Sequence, residues 1–298
     1  MVLRDVTDVA PILTRADDGV ELALFHASPE RPRGAPPVLL VHGTFSNRDF
    51  FMGGKSERGL ARVLAERGFD SWVAELRGHG RSGEAGRNSA WHFEDWIRRD
   101  APALVRGVLE ATGRDRVVWL GHSAGGVIAV AFLGAGSDLA RSVVGLVLAG
   151  TPAPTGLGIL QYPMAAAVLS VTRTLGRFPA RLLGLGPEDE HAGIMEQWLR
   201  WNLRGRWVGD DGTDYFAGCR RITVPVLALA GGGDWLIAPP SICEDLVNEF
   251  GSADKTFMNC GRAEGFTEDF DHNRLLVSST ARAEVWPVIA DWLESRFG

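Results

Sequence analysis

Short apolar runs alternate with longer amphipathic ones along most of this 298-residue chain, and few architectures accept that order. Val38 to Val41 and Val143 to Ala149 have strand length and no charged residue, as expected of strands covered on both faces. Asp70 to Glu75 and Arg116 to Leu120 read as two more. Between them, Ser56 to Arg67, Trp91 to Thr112 and Ala124 to Leu133 carry apolar residues at helical spacing, the first two stopped by Gly68 and Gly113. Parallel neighbours cannot be joined by a tight turn, and the crossover usually takes a helix that packs on the sheet. The alternation therefore predicts an α/β chain with a mostly parallel central sheet and helices on both faces. Ahead of it, Val9 to Thr14 and Val20 to His26 pair as a hairpin around Asp18-Gly19.

The rhythm stops after Ala149. From Gly150 to Arg221 the spacing predicts two helices, Ile159 to Leu175 and Glu188 to Leu203, and no strand. It resumes with a strand at Val224 to Ala230, a helix from Pro240 to Phe250, a strand at Lys255 to Asn259 and a last helix from Thr280 to Phe297. The expected organisation is one core domain, residues 1–154 and 219–298, interrupted by a helical insertion at 155–218.

Composition narrows the possible roles. A net charge of −6 argues against a general nucleic-acid binder, which needs a face rich in lysine and arginine. No run of about 18 uncharged apolar residues occurs, so no stable membrane span is expected. The first residues carry aspartates and no apolar run before a cleavage site, unlike a secretory signal. Cys219, Cys243 and Cys260 lie far apart, without metal-binding spacing, and an odd scattered set suits buried thiols in a reducing cytoplasm. Neither a metal nor a cofactor is implied.

Gly121-His122-Ser123-Ala124-Gly125 fits the pattern G-x-S-x-G. The bare string is weak, but a predicted strand ends just before it and a predicted helix begins just after. A nucleophile on so sharp a turn needs small neighbours, and the helix start aims free N–H groups at developing negative charge. The plainer alternative is a glycine-rich turn in which Ser123 merely caps the helix. Serine needs a base, and the base an orienting acid. Of seven histidines, only His272 lies in the loop between the last strand and the last helix. His42 and His122 adjoin motif glycines and are expected to serve loop geometry, and His26, His79, His92 and His191 to pack or face solvent. For the acid, Asp234 follows a strand through Gly231-Gly232-Gly233, at the carboxyl edge where open α/β sheets gather ligands. Asp269 and Asp271 are rivals, yet a carboxylate so near His272 in sequence seldom reaches back to its Nδ1. Donors for an oxyanion are expected from the Ala124 N–H and from the loop His42-Gly43-Thr44-Phe45, with Thr44 ahead of Phe45.

A second motif, Gly78-His79-Gly80-Arg81-Ser82-Gly83, matches the dinucleotide fingerprint G-x-G-x-x-G. It runs into more loop rather than a helix, and Asp100, at the right distance, falls within a helix. A glycine-rich turn is the better reading.

With Ser123, Asp234 and His272 in that order, the chain resembles the α/β-hydrolase superfamily over nearly its whole length. The stretches RGFDSWVAELRGHGRSG and WHFEDWIRRDAPALVRGVLEATG, with the GHSAGG turn, look similar to acid lipases and to polyhydroxyalkanoate synthases and depolymerases. The synthases use cysteine as nucleophile, and dehalogenases and soluble epoxide hydrolases aspartate; Ser123 departs from all three and points to hydrolysis. The resemblance implies an esterase- or lipase-like serine hydrolase acting on a small-molecule ester or acyl substrate. It also implies a lid-type insertion, with Trp198, Trp201 and Trp207 as candidates to line its pocket. Acyl transfer, amide hydrolysis and carbon–carbon bond hydrolysis use the same triad, and a non-catalytic ligand-binding protein can keep the fold.

Overall fold

The computed structural model describes residues 10–54, 58–83, 90–154, 156 and 162–298. Val9, Ser56, Thr155 and Ile159, where expected elements begin, lie outside the described residues. Eight strands form the main sheet: β1 (Ile12–Arg15), β2 (Glu21–Ala27), β3 (Val38–Val41), β4 (Ser71–Ala74), β5 (Val117–His122), β6 (Val143–Ala149), β7 (Val226–Gly231) and β8 (Lys255–Cys260). Their order is β1-β2-β4-β3-β5-β6-β7-β8. The β1–β2 hairpin turns at Gly19 (φ +87°) and pairs antiparallel with β4, and all later neighbours are parallel.

The helices that matter to the site are α1 (Leu60–Glu66), α2 (Ala101–Thr112), α3 (Ala124–Ala135), α4 (Tyr162–Leu175), α5 (Ala192–Arg204), α6 (Pro240–Asn248) and α7 (Ser279–Phe297). Successive strand residues face opposite sides, which divides the core in two. Leu39, Val41, Trp72, Trp119, Leu146 and Leu148 pack with α2, α3 and α6. Val38, Leu40, Val73, Val118, Leu120 and Val147 pack with α1 and α7 on the other face. Helix α3 is buried from Ala124 to Gly134, which explains why its apolar residues surround it rather than form a stripe.

From β3 the chain passes to β4 on one side and then returns to β5 on the other. At such a reversal the crossovers diverge to opposite faces and leave a crevice at the carboxyl ends of the strands. The loops after β3 and β5 open into it.

Several details differ from expectation. Strand β5 continues through Gly121 and His122, which pair with Leu148 and Ala149 of β6. The helix leading into α2 contains a π-helical turn, Trp96–Asp100. Between β6 and β7, where no strand was expected, Arg177–Phe178 and Glu190–His191 form a two-residue antiparallel ladder, and α5 starts only at Ala192. No helix among the described residues is long and apolar enough to cross a membrane.

Candidate active site

Ser123 leaves β5 with φ +51° and ψ −119°, one of only two described non-glycine residues at positive φ; the other is Phe45. Its N–H donates to Ala149 O at 2.9 Å, and its carbonyl accepts from Gly126 and Val127 at 2.9 and 3.1 Å. The hydroxyl makes no capping bond to α3, so the plain helix-cap reading does not hold. Helix and strand meet closely here: a Cβ on Gly125 would run into the carbonyl of Val41, so only glycine fits. Ala124, the first residue of α3, has an N–H beyond the reach of intrahelical acceptors.

Asp234 and His272 come from the loops after β7 and β8. His272 Nδ1 donates to Asp234 Oδ2 at 2.6 Å. Asp234 is 4% exposed and its Oδ1 accepts from Ile237 N at 3.0 Å. Burial works against its ionisation, but His272 and the N–H groups of Ala238 and Ile237 outweigh it and hold the carboxyl below the usual range. With Nδ1 committed as donor, Nε2 of His272 is the basic nitrogen. The rivals are occupied elsewhere: Asp269 accepts from Arg262 N at 2.9 Å, and Asp271 from Asn273 and Arg274 N at 3.1 and 2.8 Å. Gly150 lies under the imidazole, where a Cβ would stand 3.3 Å from Cε1 and Nδ1 of His272.

No direct hydrogen bond joins the Ser123 hydroxyl to His272. The two are linked one residue away, where His122 Nε2 lies 3.0 Å from the main-chain oxygen of His272 and the two rings are 4.8 Å apart.

The loop after β3 is braced from several directions. His42 is fully buried, with Nδ1 donating to Gly43 O at 2.7 Å and Nε2 accepting from Leu76 N at 3.3 Å. Burial and the nearby His79 push its pKa down to about 3, which keeps it neutral. Glu75, buried at the end of β4, accepts from Arg48 N at 3.2 Å and Arg81 N at 2.6 Å. Phe45, at φ +64°, faces the residues between β6 and β7: its carbonyl accepts from Glu188 N at 3.1 Å and its ring meets Phe178 at 5.3 Å. Glu75 and Gly150 escaped sequence reasoning; the only signal was a lone carboxylate ending an apolar strand.

Trp201 and Trp207 do not line this site. They are 1% and 2% exposed and pack with Tyr215, while Phe93 meets Trp201 edge-on and stacks on Trp198. Trp201 and Trp207 are therefore core, while Trp198 is partly buried against the same cluster. The second glycine motif is a turn, with Gly78 N donating to Gly83 O at 2.9 Å and Gly83 N to Glu21 O at 2.8 Å.

The family described as alpha/beta hydrolase fold matches residues 36–192, just over half of the chain. This chain belongs to the alpha/beta hydrolase fold family. A tear acid lipase-like protein of Mesocricetus auratus is 31% identical over 113 residues, 36% of this chain and 28% of that protein. A poly(3-hydroxyalkanoate) polymerase subunit of Haloarcula marismortui is 24% identical over 322 aligned positions, 90% of this chain and 62% of that protein. Both matches thus span less than two thirds of the relative's length. Among solved structures, an esterase from Exiguobacterium antarcticum superposes with a TM-score of 0.66 at 18% identity, covering 95% of this chain and 99% of that one. At that identity the likeness speaks for the hydrolase fold alone.

Proposed function

We propose that this chain is a serine hydrolase cleaving carboxylic esters through an acyl-enzyme on Ser123. The observation that carries the reading is the state of Ser123: held at φ +51° at the head of a buried helix, its hydroxyl left out of helix capping. In the proposed cycle, Ser123 Oγ attacks the ester carbonyl while His272 Nε2 takes its proton. Asp234 fixes the imidazole and stabilises the imidazolium, and His272 then protonates the leaving alcohol. Water repeats the sequence and releases the acid. Hydrogen bonds between nucleophile and base often tighten only with substrate bound, so the missing Ser123–His272 bond is compatible with these roles.

The oxyanion that forms is assigned to Ala124 N–H and Thr44 N–H, with Phe45 N–H as the alternative second donor. His42 supports Thr44. Gly43 C=O and Thr44 N–H belong to one trans peptide and point in opposite directions, so the His42 bond to the carbonyl fixes where the N–H aims. Residues 155–218 are proposed as a covering segment over the site. Its contacts with Phe45, through Phe178 and Glu188, support that placement.

Ester substrates fit the relatives, which include an acid lipase-like protein, an esterase and a poly(3-hydroxyalkanoate) polymerase subunit. The last of these favours acyl transfer as a second reading. A fluorophosphonate probe should label the wild type and not Ser123→Ala, and turnover of p-nitrophenyl esters should fall by about 10³-fold or more in that variant. Labelling or turnover that survives Ser123→Ala ends the proposal. Adding an alcohol separates the readings, because hydrolysis yields the acid and transfer a new ester.

A further inference from the structure

His122 is buried at the end of β5, one residue before Ser123, and has no part in the chemistry proposed for the triad. Its Nε2 lies 3.0 Å from the main-chain oxygen of His272. A carbonyl oxygen only accepts, so Nε2 carries the proton and Nδ1 does not. The surroundings agree, since Nδ1 is buried without a polar partner and faces Gly43. The ring is held flat by Phe50, stacked at 4.4 Å, with the His272 imidazole 4.8 Å away. Burial, and then the neighbouring His272, press the His122 pKa down to about 3.

We propose that His122 is a positioning residue whose Nε2–H anchors the main chain of His272 and so sets where that imidazole stands relative to Ser123. The proposal rests on the triad reading given above. Asp234 holds the imidazole at one atom, and a ring bonded at one atom can still swing about that bond. An anchor on the same residue's main chain removes that freedom. Because His122 and Ser123 are consecutive, any shift of the nucleophile carries the anchor with it, and the base follows. The neutrality of His122 matters too. When His272 takes the serine proton, a second cation beside it would oppose the step, and His122 supplies none.

The test compares His122→Gln, which keeps an N–H near the position of Nε2, with His122→Leu, which removes it. Ester turnover is measured per active site titrated with fluorophosphonate. His122→Leu should lower kcat by about 10- to 100-fold with KM within about 2-fold, as expected when a reacting group is displaced by a fraction of an ångström to an ångström. His122→Gln should recover most of the loss, with both variants matching the wild-type far-UV circular dichroism. Equal impairment of the two variants, a loss confined to KM, or wild-type turnover in His122→Leu would overturn the proposal. An arm independent of catalysis is the ¹⁵N NMR of the His122 ring, expected to show a neutral Nε2-protonated tautomer from pH 5 to 8. Titration in that range, or a proton on Nδ1, overturns it equally. Failure of the triad reading itself is seen elsewhere, in a wild type that resists the probe or a Ser123→Ala variant that keeps turning over.

Discussion

At Ser123 the backbone sits where few residues with side chains go, and such a conformation costs on the order of 1–3 kcal/mol. Glycine escapes that strain, but it also has more freedom to lose on folding, by about 0.4–1 kcal/mol. Comparing Ser123→Gly with Ser123→Ala isolates the difference, because neither keeps the hydroxyl. The glycine variant should be the more stable by about 1 kcal/mol in urea unfolding, and both should be inactive. An alanine variant more stable than the glycine one by about 0.4–1 kcal/mol would mean that the turn is not strained. The residues of the proposed triad were legible at this scale because they stand at strand ends, a position the alternation of runs exposes. His42 and His122 were expected to serve loop geometry, but the bonds they make were not legible. His122 and His272 are 150 positions apart, and no local pattern records which carbonyl a distant ring will meet.

At the scale of elements, the turn after β4 and the helix that follows are joined by a buried ion pair. Arg77 is fully buried; its side chain bonds Asp100 at 2.8 Å and Asp18 at 2.7 Å, and its main-chain N–H donates to Asp100 at 3.0 Å. Removing one partner of such a pair strands the other charge away from water, at about 3–5 kcal/mol. Asp100→Ala should therefore shift the urea midpoint sharply, while Asp18→Ala, whose partner keeps Asp100, should shift it less. Equal small shifts would show the guanidinium reaching solvent. Asp100 ends the π turn, which a search for 3.6-residue periodicity cannot detect. For a similar reason β5 runs two residues past the apolar run that predicts it. Gly121 and His122 break the apolar run that marks a strand, yet they keep its ladder with β6. The two-residue ladder between Arg177–Phe178 and Glu190–His191 is too short to leave any alternation.

Over the whole molecule, buried histidines tie stability to pH. His42 and His122 are each lowered from 6.5 to about 3, chiefly by burial. The unfolded chain takes up these protons first as pH falls. Their contribution is therefore complete above 6.5 and is lost between there and about 3, by up to about 1.4 kcal/mol per pH unit for each histidine. His79 runs the other way. Burial opposes its charge, but Glu190 and Glu188 prevail and raise its pKa, so its contribution is present below 6.5 and lost as pH rises through the folded value. His79 offsets part of this loss, as does Asp100, whose carboxyl burial raises to about 6, and unfolding at pH 5 should still need less urea than at pH 7.5. A higher midpoint at pH 5 than at pH 7.5 would contradict the neutral burial of His42 and His122. The same guanidinium that joins Arg77 to Asp100 also reaches Asp18, in the turn of the β1–β2 hairpin. Peeling that hairpin from the sheet edge would leave a positive charge half-matched and drag water into the interior. The β1–β2 ribbon is thereby tied to the interior and resists the independent fraying that edge ribbons usually enjoy.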